Sequence, residues 1–262
     1  MSLIRSRISE LARHLETAAR DGRPIPQLSQ TEPQLSLSDA YDVQWALRER
    51  RLAAGARLTG LKMGLTSRAK MKQMGVATPI YGFLLDEYST PADSELSLGK
   101  LIHPRIEPEV ALVTRCTLQG PGCTLAHALA AIDFVIPALE IIDSRYADFK
   151  FDLPSVVADN ASSAHYVVGG CARRVDEIDL RTLGVVLEKN GEGVAFGAGA
   201  AVLGHPAASL AMLANLLAER EQVIPEGTYV MTGGVTEAIA VKAGDHVLAR
   251  LQGLGSVSVR LA

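Results

Sequence analysis

The sequence predicts an α+β fold in which a large mixed β-sheet or roll is covered by outer helices. Three observations predict it. Helical spacing of apolar residues is concentrated in the first 57 residues, short strand-like runs separated by glycine turns dominate the remainder, and regular β-α-β alternation is missing. We therefore divide the chain into a small helical amino-terminal region, residues 1–57, and a larger domain, residues 58–262.

Two helices are predicted in the amino-terminal region. Apolar residues step by four and three along residues 4–18, which is the spacing of one helix face, and Gly22 ends this helix. A proline-rich connector follows at residues 23–26. The second helix is predicted to begin at a Ser38 cap and to end near Gly55.

The larger domain is predicted to consist mainly of short strands. Two helices interrupt them, at residues 124–131 and 206–217, and Pro206 suits the first turn of the second. The predicted strands are residues 58–63, 106–114, 134–142, 165–168, 229–232, 246–251 and 256–261, with a hairpin over residues 185–196 that turns at Asn190-Gly191.

Composition and charge exclude several classes of function. The chain has 262 residues, 48% of them hydrophobic and 21% charged, and a formal charge of −3. It has no basic stripe for nucleic acid. Its three cysteines have no C-x-x-C spacing, which disfavours a disulfide framework and a zinc site. We recognise no signal-peptide core and no membrane span, so we expect a cytoplasmic protein without a membrane partner.

Three glutamates are the strongest indication of function. Glu107 and Glu109 are two residues apart in a predicted strand and therefore leave the same face, and Glu140 lies inside an apolar run that reads as a buried strand. Carboxylates gathered in an apolar setting take up protons or bind a cation. Oxygen ligands without a nearby His or Cys pair favour Mg²⁺ or Mn²⁺. The alternative is the solvated face of an edge strand, which Pro108 would suit.

Several further segments occur in a familiar order along the chain. They are KMGLTS at 62–67, HPRIEPE at 103–109, EIIDSR at 140–145, DNAS at 159–162, KAGD at 242–245 and GLGSV at 253–257. This set resembles the fumarylacetoacetate hydrolase superfamily, and more closely its branch of hydratases and decarboxylases from meta-cleavage pathways. Within that branch, KMKQMGV at 70–76, IYGF at 80–83 and MTGGVTEAI at 231–239 are similar to the decarboxylases.

The resemblance implies a fold, a metal and a reaction. The fold would be a mixed β-sheet roll of the fumarylacetoacetate hydrolase type over residues 58–262, with Mg²⁺ or Mn²⁺ held by Glu107, Glu109 and Glu140. The reaction would be decarboxylation of 2-oxo-3-hexenedioate to 2-hydroxypenta-2,4-dienoate and CO₂ during meta-cleavage degradation of aromatic compounds. The resemblance also implies a homo-oligomer and a complex with the hydratase that consumes the dienol. A 2-hydroxypentadienoate hydratase, or a non-catalytic partner subunit of that hydratase, stays open as an alternative.

Two residues are predicted to act on the substrate. The Lys62 ammonium would hold a substrate carboxylate or enolate oxygen and exchange protons with it, and Ser162 would donate a hydrogen bond to a carboxylate. Alternatively, Lys62 is a surface lysine at a strand end. Ser162 is alternatively a turn or cap residue.

Other residues are predicted to line the substrate site. Backbone N–H groups at Thr232 and Gly233 would approach an anionic substrate, although a plain turn would explain the same residues. Ile80 would form an apolar wall at a position where the hydratases tend to carry an acidic residue, or it would simply be a core residue. Arg105 and Arg145 would neutralise the substrate or the carboxylate group, or would form structural salt bridges, and we favour the salt bridges for both. His103 is left outside the metal shell.

Overall fold

The computed structural model describes residues 3–68, 71–72 and 76–262, so the segment at 70–76 lies largely outside the described residues. Both predicted amino-terminal helices and both later helices are confirmed, whereas the helices Leu28–Thr31 and Leu153–Ala158 are too short to show a helical period. The helices over the described residues are α1 (Arg5–Asp21), α2 (Leu28–Thr31), α3 (Leu37–Ala53), α4 (Leu125–Ala131), α5 (Leu153–Ala158) and α6 (Pro206–Ala218).

The start of α3 differs from the prediction. Ser36, rather than Ser38, is the cap: its side chain accepts from the Asp39 backbone N–H at 3.1 Å, and the Asp39 carboxylate accepts from the Ser36 backbone N–H at 3.2 Å. This reciprocal arrangement requires an acidic residue three positions after the cap, and Ser38 has Tyr41 there. Ser38 therefore lies in the first turn.

The strands form a mixed architecture, as predicted. Each predicted strand is confirmed to within a few residues, including the hairpin at Asn190-Gly191. The strands are β1 (Leu58–Gly64), β2 (Ile80–Leu85), β3 (Ser89–Pro91), β4 (Glu95–Leu96), β5 (Arg105–Thr114), β6 (Ile132–Ile142), β7 (Ser163–Val168), β8 (Arg173–Arg174), β9 (Gly184–Lys189), β10 (Glu192–Ala198), β11 (Tyr229–Met231), β12 (Ile239–Ala240), β13 (His246–Leu251) and β14 (Gly255–Leu261).

Two sheets organise these strands. The first follows the order β2-β1-β11-β5-β6-β7-β3, with β12 beside β5 and β8 beside β6. The second follows the order β10-β9-β13-β14-β4. In the first sheet, β1–β11 and β3–β7 are parallel pairs whereas β5–β6 is antiparallel, so the sheet is mixed. β5, which carries two of the predicted carboxylates, lies in the middle of it.

The amino-terminal helices share the core of the larger domain. Leu11 and Leu15 of α1 and Val43 of α3 belong to the same buried cluster as residues of β5, β6 and β14. The Gln44 amide on α3 donates to the backbone oxygens of Tyr81 and Val157, both at 2.9 Å. The division of the chain after residue 57 stays a prediction.

One stretch of the chain bears on the expectation that no segment spans a membrane. Residues 199–218 have the length and composition of such a span. Half of the most apolar part of this stretch is buried inside the protein. The α-helix within it, α6, has 13 residues and so rises about 20 Å, short of the roughly 30 Å of a bilayer core. Eight of its residues are buried among core side chains. The stretch is therefore accounted for as a core helix.

Candidate metal centre and active site

The three predicted carboxylates meet at one point of the first sheet. Glu107 on β5 is the cross-strand partner of Glu140 on β6, and Glu109 leaves the same face two residues further along β5. One oxygen from each lies within 4.8 Å of the others. The exposed fraction is 7% for Glu107 and zero for Glu109 and Glu140, so the solvated-edge alternative does not hold.

The donor set fits a hard divalent cation. The ligand atoms that this group provides are carboxylate oxygens, one from each glutamate. Mg²⁺ and Mn²⁺ prefer oxygen ligands of this kind. Within the described part of the chain, Glu109 Oε1 and Glu140 Oε2 are buried without a hydrogen-bond partner. Unsatisfied buried oxygens are costly unless an ion binds them.

Burial and mutual repulsion shift the titration of Glu109 and Glu140. Burial raises the pKa of Glu109 well above its usual range, and the charges of Glu140 and Glu107 raise it further. Burial also raises the pKa of Glu140, although the Lys62 ammonium opposes that shift. Without a cation, the centre therefore retains protons that a bound cation would displace.

Lys62 on β1 lies directly against this centre. Its Nζ is 3.0 Å from Glu140 Oε1, and it donates to the Ala161 backbone oxygen, also at 3.0 Å. The residue as a whole is 2% exposed, so Lys62 is not a surface lysine. Burial alone would lower its pKa, but the neighbouring carboxylates, Glu140 first, reverse the effect and raise the pKa of Lys62.

A left-handed turn places Ser162 beside Lys62. Asn160, Ala161 and Ser162 have φ values of 52°, 50° and 58°, a conformation that costs about 1–2 kcal/mol per non-glycine residue. The Asn160 side chain anchors the turn to β2, accepting from the Phe83 N–H at 2.8 Å and donating to the Phe83 oxygen at 3.0 Å. Ser162 Oγ is buried without a hydrogen bond to any described residue. Such strain is maintained where the surrounding contacts hold it.

A buried ion pair supports the turn from behind. The Arg145 guanidinium pairs with the Asp159 carboxylate and donates to the Ser163 oxygen at 3.1 Å. The predicted salt bridge of Arg145 is confirmed. Arg105 behaves differently, because its guanidinium carbon lies 4.6 Å from the ring centre of Phe149. Among the described residues, Arg105 forms no salt bridge, so the interpretation for Arg105 was wrong.

The segment after β11 contacts the carboxylates directly. The Gly233 N–H donates to Glu109 Oε2 at 2.7 Å, and the Thr232 hydroxyl donates to the Val110 oxygen at 2.8 Å. Both residues thereby hold β5 and its ligands in position. Their predicted contact with substrate stays a prediction, as do the predicted roles of Lys62, Ser162 and Ile80.

Two glycines allow backbones to approach the site closely. A Cβ at Gly234 would lie 2.2 Å from Glu107 Oε2, and a Cβ at Gly82 would lie 2.6 Å from Asn160 Oδ1. A larger residue at either position would displace the Glu107 carboxylate or the Asn160 amide, so glycine leaves these two groups where they are.

A cavity of about 370 Å³ opens beside the carboxylates, within the size range of small-molecule sites. Lys62, Glu107, Ser162 and Ile80 all line it. Arg105 and Glu237 also line the cavity, from two of the segments quoted above. The sequence did not indicate Phe149 and Phe151, because their segment has no recognisable spacing and only the chain topology brings them there. His103 lies against Phe149, outside the carboxylate group.

Comparison with known proteins identifies close relatives. The family model for the fumarylacetoacetate (FAA) hydrolase C-terminal region matches residues 70–262. A 4-oxalocrotonate decarboxylase from Pseudomonas sp. strain CF600 is 58% identical over 259 residues, covering 99% of this chain and 98% of the relative. A 2-hydroxypent-2,4-dienoate hydratase from Pseudomonas putida is 41% identical over 211 residues, covering 80% and 95%.

One solved structure superimposes on almost the whole chain. It is a 4-oxalocrotonate decarboxylase from Pseudomonas putida G7, complexed with magnesium and adipate. Its TM-score is 0.98 at 56% identity, and the match covers 100% of this chain and 99% of that one.

Proposed function

This chain belongs to the fumarylacetoacetate hydrolase family, and on that premise we propose that it is a metal-dependent decarboxylase. It converts 2-oxo-3-hexenedioate to 2-hydroxypenta-2,4-dienoate and CO₂ in the meta-cleavage degradation of aromatic compounds. The observation that carries the proposal is the buried group of Glu107, Glu109 and Glu140, with Lys62 against it at the end of a cavity, in a chain 58% identical to a 4-oxalocrotonate decarboxylase.

The three carboxylates would hold the metal ion, and the buried, unsatisfied Glu109 Oε1 and Glu140 Oε2 support this assignment. Magnesium is present in the related structure. When bound, the ion supplies Lewis-acid stabilisation of the negative charge that develops on the substrate's 2-oxo group. That charge arises because breaking the bond to the departing carboxylate pushes electrons through the C3=C4 double bond onto the ketone oxygen.

We assign the handling of charge and protons at that oxygen to Lys62 and Ser162. The Lys62 ammonium is fixed by Glu140 and the Ala161 oxygen, so it faces the cavity in one orientation. The Ser162 hydroxyl lines the same cavity and has no partner among the described residues, which leaves it able to donate to a substrate carboxylate. Groups fixed before the substrate arrives do not need to reorganise during the reaction.

The cavity wall suits the loss of CO₂ rather than the addition of water. Ile80 is 3% exposed and lines the cavity with Ile142, Phe149 and Phe151. An apolar wall excludes water from the substrate carbons. Thr232 and Gly233 are retained as substrate-side residues because their segment passes directly over the carboxylates.

The length of the substrate is consistent with a ligand of the related structure. Adipate, a saturated six-carbon dicarboxylate, is present there with magnesium. The proposed substrate has the same six-carbon backbone and two terminal carboxylates.

The test is to incubate the purified chain with 2-oxo-3-hexenedioate and Mg²⁺ while following CO₂ release beside substrate loss. We expect equal rates, abolished by a chelator and restored by Mg²⁺ or Mn²⁺. Substrate loss without CO₂ would reject decarboxylation in favour of hydration. No turnover with either metal would favour the non-catalytic partner subunit.

We further propose that the chain forms a homo-oligomer and binds the hydratase that consumes its product. Support comes from chemistry, because the proposed product is the compound named in a related hydratase, and direct transfer would protect an unstable dienol. Co-elution of the two purified proteins in size-exclusion chromatography tests this. The proposed location is the cytoplasm, which three free cysteines suit.

A further inference from the structure

Arg105 stands on the same face of β5 as two of the carboxylates. Arg105, Glu107 and Glu109 alternate along the strand, so their side chains leave it in one direction. Glu107 follows Arg105 by two positions, which corresponds to a rise of about 6.7 Å along the strand. Arg105 and its cross-strand partner Ile142 both line the cavity. The cavity is therefore lined by an arginine as well as by Glu107, one carboxylate of the metal centre.

The contacts of Arg105 leave its N–H groups available. Its guanidinium lies over the ring of Phe149, with 4.6 Å between the guanidinium carbon and the ring centre. Stacking uses the face of the guanidinium and leaves its edge free for a carboxylate. No described residue accepts a hydrogen bond from it. Lys62, by contrast, is already committed to Glu140 and Ala161.

The charges around the cavity indicate that Arg105 is the group that attracts an anionic ligand. Glu237 also lines the cavity and is exposed, so it repels an incoming anion. A dicarboxylate with one end at the carboxylate-lined centre needs a positive group for its other end.

We propose that Arg105, stacked on Phe149, binds the distal carboxylate of the substrate and so makes the site selective for dicarboxylates over 2-oxo monocarboxylates. This inference rests on the proposed function, because the distal carboxylate is the group that leaves as CO₂. An ion pair with that group stabilises the bound substrate at least as much as the transition state, in which its charge is moving away. Arg105 therefore serves capture of the substrate and not the bond-breaking step.

The experiment compares Arg105→Gln and Arg105→Lys with the wild type. The matched control is Arg48→Gln, because Arg48 also lies over an aromatic ring, 4.8 Å from the centre of Trp45, but lines a different cavity. Calorimetry in Mg²⁺ measures binding of adipate, which has both carboxylates, and of pyruvate, which has only the 2-oxo acid end. Kinetics with 2-oxo-3-hexenedioate are measured in parallel, and thermal melting confirms that each variant is folded.

For Arg105→Gln we expect adipate binding to weaken about tenfold, equivalent to about 1.4 kcal/mol, while pyruvate binding stays within about twofold. KM should rise by a similar factor with kcat within about twofold. Arg105→Lys should recover part of the adipate affinity, and Arg48→Gln should change neither ligand. Unchanged adipate binding, equal losses for both ligands, or a fall in kcat at constant KM would each overturn the proposal. If the wild type releases no CO₂, the proposed function fails, yet the two calorimetric titrations still test Arg105.

Discussion

Lys62 and Lys189 make the same kind of contacts in different surroundings. Each ammonium approaches one carboxylate and one backbone oxygen: Lys62 has Glu140 and Ala161, and Lys189 has Asp245 at 3.7 Å and Ala240 at 3.3 Å. The Lys62 side chain is 3% exposed and faces the cavity, whereas that of Lys189 is 31% exposed. Lys189 is therefore a natural control for Lys62.

Replacing Lys62 by methionine should separate catalysis from metal binding. We expect Lys62→Met to lower kcat by at least about 100-fold, since positioned acid–base groups typically contribute that much. Mn²⁺ affinity should be retained, because the carboxylates remain. Steady-state kinetics and Mn²⁺ titration by calorimetry measure the two effects. Lys189→Met should leave both unchanged, and unchanged kinetics in Lys62→Met would remove Lys62 from the mechanism.

The raised pKa of Glu109 predicts how Mg²⁺ stabilisation depends on pH. Burial favours the protonated carboxyl in the metal-free folded chain. The stability from that proton is complete below the unfolded pKa of about 4.3 and is lost as pH rises through the raised folded value. Mg²⁺ competes with the proton for the same oxygens. The increase in melting temperature caused by Mg²⁺ should therefore grow as pH rises from about 4.3 through the raised folded pKa of Glu109.

Scanning calorimetry with Mg²⁺ or chelator across that range measures the increment. In Glu109→Gln the side chain cannot titrate, so we expect a smaller increment that varies less with pH. An increment of the same size at every pH in the wild-type chain would contradict the assignment of Glu109 as a ligand.

Individual site residues could be predicted from the sequence where a two-residue strand repeat or a run of apolar neighbours fixed the direction or burial of the side chain. Glu107 and Glu109 follow from the two-residue repeat of a strand, and Glu140 from its position among apolar residues. Phe149 and Phe151 reach the cavity from an irregular segment after β6. No local spacing marks such residues, so they could not be predicted.

Among the elements, the left-handed turn at residues 160–162 has three consecutive non-glycine residues with positive φ. It stays in place because the Asn160 amide makes two hydrogen bonds to the backbone of Phe83, in the manner of an additional strand residue. Asn215 on α6 does the same for Cys123, with distances of 2.8 and 3.0 Å. Only the first of these amides positions the active site.

Asn160→Ala and Asn215→Ala should therefore have matched costs in stability but different effects on activity. Each leaves backbone polar groups without partners, so we expect the free energy of unfolding to fall by about 2–3 kcal/mol in both. Asn160→Ala should also lower kcat, because Ser162 loses its position, while Mn²⁺ affinity is retained. Denaturant titration and kinetics measure these effects. Equal kcat values in the two variants would show that the turn does not position the site.

Element prediction succeeded where the signals were long or chemically specific. The periodic helices and the Asn190-Gly191 hairpin are examples. β2 was missed because all six of its residues are buried and therefore do not alternate. The cap of α3 was placed two residues late because the Ser36–Asp39 pairing was not recognised.

Across the whole molecule, the amino-terminal helices belong to one continuous apolar core with the sheets. Besides the shared cluster, Tyr41 on α3 stacks on Tyr81 of β2 with 4.4 Å between ring centres. Tyr81 is the neighbour of Ile80, which lines the cavity. The helices thus support the back of the strand that forms one cavity wall.

We expect a chain that begins at residue 58 to lose its cooperative unfolding transition. Deleting α1 and α3 would expose apolar surface. It would also leave the backbone oxygens of Tyr81 and Val157 without the hydrogen bonds that Gln44 donates. Scanning calorimetry and binding of a hydrophobic dye measure the loss, and residues 1–57 supplied separately should restore part of the transition. A truncated chain that melts cooperatively within a few degrees of the full chain would instead support an independent domain.

The mixed α+β class and the order of strands along the chain were predictable from composition and turn residues. The neighbours within each sheet were not, because β11 inserts between β1 and β5 across more than one hundred residues. Long-range pairing of that kind leaves no local trace in the sequence.

The pairing of Glu107 with Glu140 across β5 and β6 limits how the gene can tolerate insertions and deletions. Adding or removing a single codon inside either strand would invert the phase of every following side chain and turn a carboxylate out of the centre. In the connection between the strands, residues 115–131, a one-residue insertion or deletion does not change which face of a strand the carboxylates leave. Length variation among homologues should therefore accumulate in that connection and be purged from the two strands.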